Sequence, residues 1–399
     1  MLLRSGFTAL LALAAFPACA QGDGPSDQTI VVTGTPLSKT EADLKDCLAR
    51  KCPPREDIDA SLAHAENQFV AGYYTEARQT LAAARGRNAR YAATLPVEVA
   101  DLTRAYGRLS EHHGYQNVGR ILQIDALDAL KAGLEKGDSR VLMQRLMVGD
   151  QFGKQGRFRA AIDVYTKVAK QAREAGQPAV MGFAMLREAV LYGAASYSNP
   201  AYREGTEQRI KAIEQTTEPE LAEFRFAARL LRARLLSERG DKQALDTALT
   251  AFKGQELDRP VLVFAPPLRL DRVSGHEDGR IQAPKNINRT PEWIDVRYRI
   301  AADGTVNDVE TVRESPHFEG RWPKKVHENL ALRRYAPFKL AGGADGMTRI
   351  ERFTMVYDVY DPTGSRLRQR AASGRIRSLD LTDDAPPRAV PGQPPVGTP

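Results

Sequence analysis

Two stretches decide how this chain folds: AENQFVAGYYTEARQTLAAA at residues 65–84 and GDQFGKQGRFRAAIDVYTKV at residues 149–168. Superposed, they set Ala65, Gly72, Tyr74, Ala77, Leu81 and Ala84 at the offsets of Gly149, Gly156, Phe158, Ala161, Tyr165 and Val168. Antiparallel helices that cross closely need small residues at the crossing, supplied by Ala65 with Ala77 and by Gly149 with Ala161. The tight turn between them needs a glycine, and an aromatic just beyond it plugs the hairpin. A third stretch, ARLLRARLLSERGDKQALDTAL, keeps Ala233 and Gly240 but has Lys242 in the aromatic's place, so it reads as a degenerate hairpin. The two clear copies lie about 84 residues apart, and helical stretches such as 97–109 and 179–194 fill the interval.

On these residues the chain resembles the tetratricopeptide-repeat family, which implies an all-α helical repeat array over residues 57–256 whose concave face takes segments of partner proteins. The signature residues carried over are Ala65, Gly72, Tyr74, Ala77, Gly149, Gly156, Phe158, Ala161 and Tyr165. Tyr73, Tyr74 and Phe158 read as core plugs.

Beyond Arg259 the grammar changes. Pro260, Pro266 and Pro267 mark a boundary. Ile294, Val296, Tyr298 and Ile300 then alternate with Asp295, Arg297 and Arg299, as in a strand buried on one face. Asp303-Gly304 signals a hairpin turn, and a second strand spans 306–313. Pro323 suits the first turn of a helix reaching about Tyr335. A last strand alternates Phe353, Met355, Tyr357 and Val359 against Thr354 and Asp358.

The ordered set WIDVRYRIAADGTVNDVETVRESP, RRYAPFKL and RIERFTMVYDV is similar to the TonB C-terminal domain, in an acidic-Gly turn, a valine-rich second strand and the Tyr335-x-Pro337 helix end. That resemblance implies a small α+β domain, strand-strand-helix-strand, within residues 257–362. It also implies binding of an extended peptide by β-augmentation. The last strand, 350–359, offers the candidate edge: Ile350, Phe353, Thr354, Met355, Val356 and Tyr357. The combination resembles periplasmic proteins of alphaproteobacterial type. It departs from energy-transducing TonB in lacking a long Pro-Glu/Pro-Lys segment and a retained membrane helix.

The N-terminus reads as a signal peptide, residues 1–20: Arg4, an apolar run at 9–16, then Ala18-Cys19-Ala20. The run is far short of the roughly 20 residues a membrane span needs. Cleavage after Ala20 leads; lipidation at Cys19 is the alternative. Residues 21–56 form a leader carrying Ser38-Lys-Thr-Glu41, a capping-box pattern, and Thr29-Ile-Val-Val-Thr-Gly34. The latter is similar to the box with which TonB-dependent receptors pair to a TonB domain; otherwise it is a β-prone leader. In an oxidising compartment Cys47 and Cys52 read as a disulfide, the alternative being two free thiols. Residues 363–399, basic and then proline-rich, are expected to be disordered.

The formal charge of +7 becomes +6 once Arg4 is removed. In an exported chain this fits acidic partners or an anionic envelope surface and does not imply nucleic acid. His64, His112, His113, His276, His317 and His327 make no His-Glu-x-x-His pattern, and Glu111-His112-His113 reads as a solvated loop. No Gly-x-Ser-x-Gly elbow, phosphate loop or dinucleotide fingerprint occurs. No catalytic residue, metal or cofactor is assigned. The expectation is a periplasmic protein-protein interaction scaffold and not an enzyme, with an accessory role in energy-coupled transport at outer-membrane receptors as the alternative. Its partner is expected to be a periplasmic or outer-membrane protein.

Overall fold

The computed structural model describes residues 35–250, 260–266, 290–316, 322–339, 346–360 and 368–382, together with 268, 318 and 362. The signal peptide, Cys19, the Thr29–Gly34 box and everything beyond Thr382 lie outside these residues. Residues 1–35 separate from a single unit that runs from Pro36 to the C-terminus, and the described residues belong almost wholly to the latter.

Helix α1 (Leu37–Ala49) is tied by the Cys47–Cys52 disulfide, across a Cα–Cα distance of 5.0 Å, to the start of α2 (Pro54–Val70). The capping box at Ser38 does not operate. The helix begins one residue earlier, behind Pro36, and no side chain caps it. Nine more helices follow: α3 (Tyr74–Asn88), α4 (Pro96–His112), α5 (Gln116–Gly133), α6 (Ser139–Lys154), α7 (Phe158–Glu174), α8 (Pro178–Ser198), α9 (Tyr202–Glu214), α10 (Ala222–Glu238) and α11 (Lys242–Thr250). Neighbours pack as hairpins: α2 on α3, α4 on α5, α6 on α7, α8 on α9 and α10 on α11.

The repeat is denser than two matching stretches imply. Turn glycines in left-handed backbone stand at Gly72, Gly114 and Gly156, each 42 residues from the last, and at Gly240, twice that interval further on. The omitted turn joins α8 to α9 through Asn199, whose side chain accepts from the Ala201 backbone. The crossing positions keep their small residues: Ala65, Ala77 and Ala161 are buried, and at Gly149 an added Cβ meets Tyr165 at 2.7 Å. Tyr74 and Tyr165 are buried plugs, Phe158 is half-buried, and Tyr73 is exposed instead of buried because it precedes the helix and points away from the crossing.

The C-terminal part is a four-stranded antiparallel sheet ordered β3-β2-β5-β6, from β2 (Trp293–Ala301), β3 (Val306–Glu314), β5 (Gly346–Tyr360) and β6 (Gln369–Asp380). Helix α12 (Pro323–Ala331) covers one face, where Ile294, Val296, Tyr298, Ile300, Phe353 and Met355 pack with Trp322, Val326 and Leu330. A short ladder, β1 (Leu262–Phe264) with β4 (Arg334–Tyr335), packs against Phe226, Leu230, Leu245 and Leu249 of the last hairpin.

Two expectations are corrected here. The tail is not wholly disordered, since 369–380 forms β6. Ile376 feeds the core under α12, and Leu379 and Leu381 reach the opposite face, which supplies the burial a strand needs. In consequence β5 is not an edge. Ile350, Phe353, Thr354, Met355, Val356 and Tyr357 lie on a strand bonded to β2 on one side and to β6 on the other.

Gly72, with φ near +91°, abuts Trp293, whose ring lies 2.9 Å from where a Cβ would sit; at Gly156 no atom of the described residues beyond its chain neighbours lies within 4 Å. Both positions strain an L-residue, but only the first also clashes. Gly72→Ala is therefore expected to cost roughly 1–3 kcal/mol more than Gly156→Ala through overpacking. Denaturant midpoints of the two variants measure this, and equal losses would contradict the contact.

Candidate interaction surfaces

The face of the sheet turned away from α12 is covered over β5, β6 and the start of β2. It docks on the turn ends of the first two hairpins, and the charged positions of the alternating strands do the docking. Asp295 and Arg352, opposite each other on β2 and β5, are both fully buried. Arg352 Nε donates to Asp295 Oδ1 at 2.6 Å and Nη2 to Oδ2 at 2.9 Å, a bidentate pair of the kind guanidinium geometry favours. The remaining donors reach the Phe69 carbonyl at 2.5 Å and the Val70 carbonyl at 2.8 Å. These carbonyls end α2 and carry its negative dipole end; the Phe69 carbonyl also accepts from the Gly72 amide at 2.9 Å. The guanidinium also lies 3.7 Å from the Trp293 ring centroid, while Arg313 adds a second pair to Asp295 at 2.6 Å. Tyr74, the repeat's aromatic plug, bonds Thr354 through its hydroxyl at 2.9 Å, and burial pushes its pKa up to about 12.

At the second turn the Val359 amide donates to the Gly114 carbonyl at 2.9 Å. A Cβ on Gly114, where φ is near +94°, would lie 2.3 Å from the Tyr357 carbonyl oxygen, so only glycine admits the strand. Arg370 of β6 donates to the His113 and Tyr357 carbonyls, and Arg377 donates to Glu111 at 2.9 Å and to Gln116 at 3.1 Å. Glu111, His112 and His113 are thus a buried junction and not a solvated loop. Among the described residues no group of three or more His, Cys, Asp or Glu side chains could hold a metal ion. Burial pushes His112 down to about 4, helped by Arg377, Arg108 and Arg352; burial with Arg370 and Arg78 does the same for His113.

Two of the surfaces open among the described residues lie on the later hairpins. On α8, Phe183, Val190 and Tyr197 are exposed at seven-residue spacing, which turns only about 20° per step on a helix. Glu188 and Tyr192, on the opposite side of the helix, meet α9 and α7 through Arg209 and Phe158. The stripe therefore lies on the side of α8 turned away from those contacts, with Phe183 packed on Phe224 of α10 at 4.9 Å. The second surface is a cleft of about 770 Å³ at the third turn, beside Gly156, Phe158, Tyr192 and Tyr202.

The docking residues escaped sequence reading because Asp295 and Arg352 sit where alternation predicts water. A usable signal was Trp293, an aromatic on that supposedly wet face. Gly107, Gly114 and Gly119 likewise match the offsets of the repeat, hidden by Gln116 in the aromatic's place.

No family model matches the chain, and no curated protein matches it. Among solved structures, BtubC (BKLC) from P. vanneervenii is similar over 59% of this chain and 96% of its own, at 13% identity and a TM-score of 0.40. A likeness of that degree assigns no function. No described helix is long and apolar enough to cross a membrane. The Cys47–Cys52 disulfide is compatible with a secreted or periplasmic protein.

Two measurements probe the junction. Arg352→Leu leaves the Val70 carbonyl without its donor, the Phe69 carbonyl with the Gly72 amide alone, and Asp295 half-paired, and is expected to cost about 3–5 kcal/mol; a loss below about 1 kcal/mol by urea unfolding would contradict the role given to this residue. For His112 and His113, the folded pKa near 4 lies below the unfolded value of 6.5. The unfolded chain thus binds more protons between those values, so their contribution is intact above pH 6.5 and lost as pH falls toward 4. The melting temperature is expected to drop between pH 7 and pH 5, with a shallower slope in the His112→Gln/His113→Gln variant; an unchanged slope would exclude them as the cause.

Proposed function

We propose that this protein is a periplasmic scaffold that binds segments of other envelope proteins and performs no catalysis, with an exposed face of a tetratricopeptide-like array as its contact surface. The observation that carries the reading is the α8 stripe of Phe183, Val190 and Tyr197, three large apolar side chains left exposed on one line. Such a line suits a partner segment laid against it, since aligned exposed apolar groups mark interaction surfaces. The C-terminal sheet supports the reading differently from the expectation drawn from TonB. Because β6 occupies the side of β5, strand addition there requires β6 to leave. On this reading the sheet braces the array, and partner capture falls to the helices. The energy-coupled accessory role keeps only its sequence resemblance as support.

The test is covalent capture by the full chain carrying a photoreactive side chain at Val190, in the envelope of the producing cell. A discrete adduct is expected, lost when Phe183 and Tyr197 are both changed to Ser. Because Phe183 also packs on Phe224 at 4.9 Å, the double variant is checked for folding by its melting temperature, and Tyr197→Ser alone, which leaves that ring pair intact, should weaken the adduct as well. Adducts at exposed Lys170 with none at Val190 would remove the reading.

A further inference from the structure

The 42-residue spacing lets equivalent turns of the array be compared for what sits on them. At the first turn, Trp293 lies on Gly72 with the Arg352 guanidinium over its ring. The ring is delivered by an extended segment, Glu292-Trp293-Ile294-Asp295, which begins β2. At the second turn, extended backbone lies on Gly114, with Arg370 at its carbonyls. Both turns therefore receive an extended strand, and at each the sheet brings an arginine to helix-end carbonyls of the array. The third turn is built alike, with left-handed Gly156 at the equivalent position, but an added Cβ there meets no atom of the described residues beyond its chain neighbours within 4 Å.

The space beside Gly156 is the 770 Å³ cleft. Its apolar wall is a three-ring cluster: Phe158 lies 5.0 Å from Tyr192 and 4.9 Å from Tyr202, and the two tyrosines lie 5.8 Å apart. All three rings are half-buried, leaving surface for a fourth. Arg157 and Arg159 line the cleft, both exposed and without a carboxylate partner among the described residues, with Arg157 stacked over the Phe152 ring at 4.8 Å, against one acidic lining residue, Asp163. Two guanidinium groups beside a ring wall favour a ligand that brings both a ring and negative charge.

We propose that this cleft is a docking site for an extended acidic segment of another protein carrying an aromatic ring, which lies on Gly156 as Trp293 lies on Gly72. It is separate from the α8 stripe, because Tyr192 and Val190 face opposite sides of that helix.

The probe is a fluorescein-labelled, amidated peptide of sequence TPEWIDV, that of residues 290–296, read by fluorescence anisotropy on the full chain. Saturable binding is expected, weakened at least tenfold by Arg159→Glu and left within twofold by Arg173→Glu, an exposed arginine at the far end of α7. Gly156→Asn, which tolerates left-handed backbone and places an amide in the cleft, should weaken it too. So should replacing the peptide's Trp by Ala or its two acids by amides. Binding indifferent to Arg159→Glu would mean that the peptide exchanges into the first turn, and would overturn the proposal, as would the absence of saturation. Dimerisation of the free protein that Arg159→Glu abolishes would make a second copy the occupant, overturning the assignment to another protein.

Discussion

The burial of Arg352 is the constraint on which the rest of the unit depends. A guanidinium out of water is tolerable only if its charge is balanced and every donor is used. Asp295 supplies the balance, and the last carbonyls of α2 take the remaining donors. The Val70 carbonyl at the helix end needs a partner just as the arginine does, so two deficits cancel in one contact. Because the arginine lies on β5 and its carbonyl acceptors on the first hairpin, the sheet cannot shift along the array without breaking these hydrogen bonds. Its register on the helices is fixed by charge and hydrogen bonding, with Trp293 filling the apolar remainder.

The junction also explains why charged residues on the strands are so ordered. Arginines 352, 370 and 377 on β5 and β6 address helix ends at Phe69–Val70, His113 and Glu111 respectively. In two of the three the acceptors include backbone carbonyls at a helix C-terminus, where the dipole favours a cation. The surplus of basic residues in this part of the sequence is therefore partly structural. Charge that looks available for an acidic partner is spent inside the molecule, and the arginines left over, such as Arg157 and Arg159, stand on the array.

Much of the fold was legible. Small residues at helix crossings, glycines at turns and strand alternation are local signals, and each follows from sterics acting within a few residues. Helices, sheet, the Asp303-Gly304 hairpin and Pro323 at a helix start all rest on such signals. What could not be read depended on a distant partner. The strand from Gln369 to Asp380 looks like a basic tail until β5 is placed beside it, and Asp295 looks solvated until α2 lies over it. His112 and His113 likewise become buried only because β6 arrives from more than 250 residues away. The period of 42 was a local signal overlooked, since Gln116 replaces the expected aromatic while the glycines around it remain.

Sequence separation gives the Arg352 contact a temporal meaning. The Phe69 carbonyl and the guanidinium it receives are 283 residues apart. At a synthesis rate of roughly 5–20 residues per second, the ends of α2 and α4 stand uncovered for roughly 15–60 s after they are made. During that interval Gly72 and Gly114 carry no strand, and the first two hairpins present open turns like the one at Gly156. The nascent chain thus passes through a stage with vacant docking sites, which closes only when its own C-terminal strands arrive. Any extended segment held nearby in that period competes with β2 and β6 for the same turns, so the order of synthesis leaves this protein most exposed to mispairing with neighbours before it is finished.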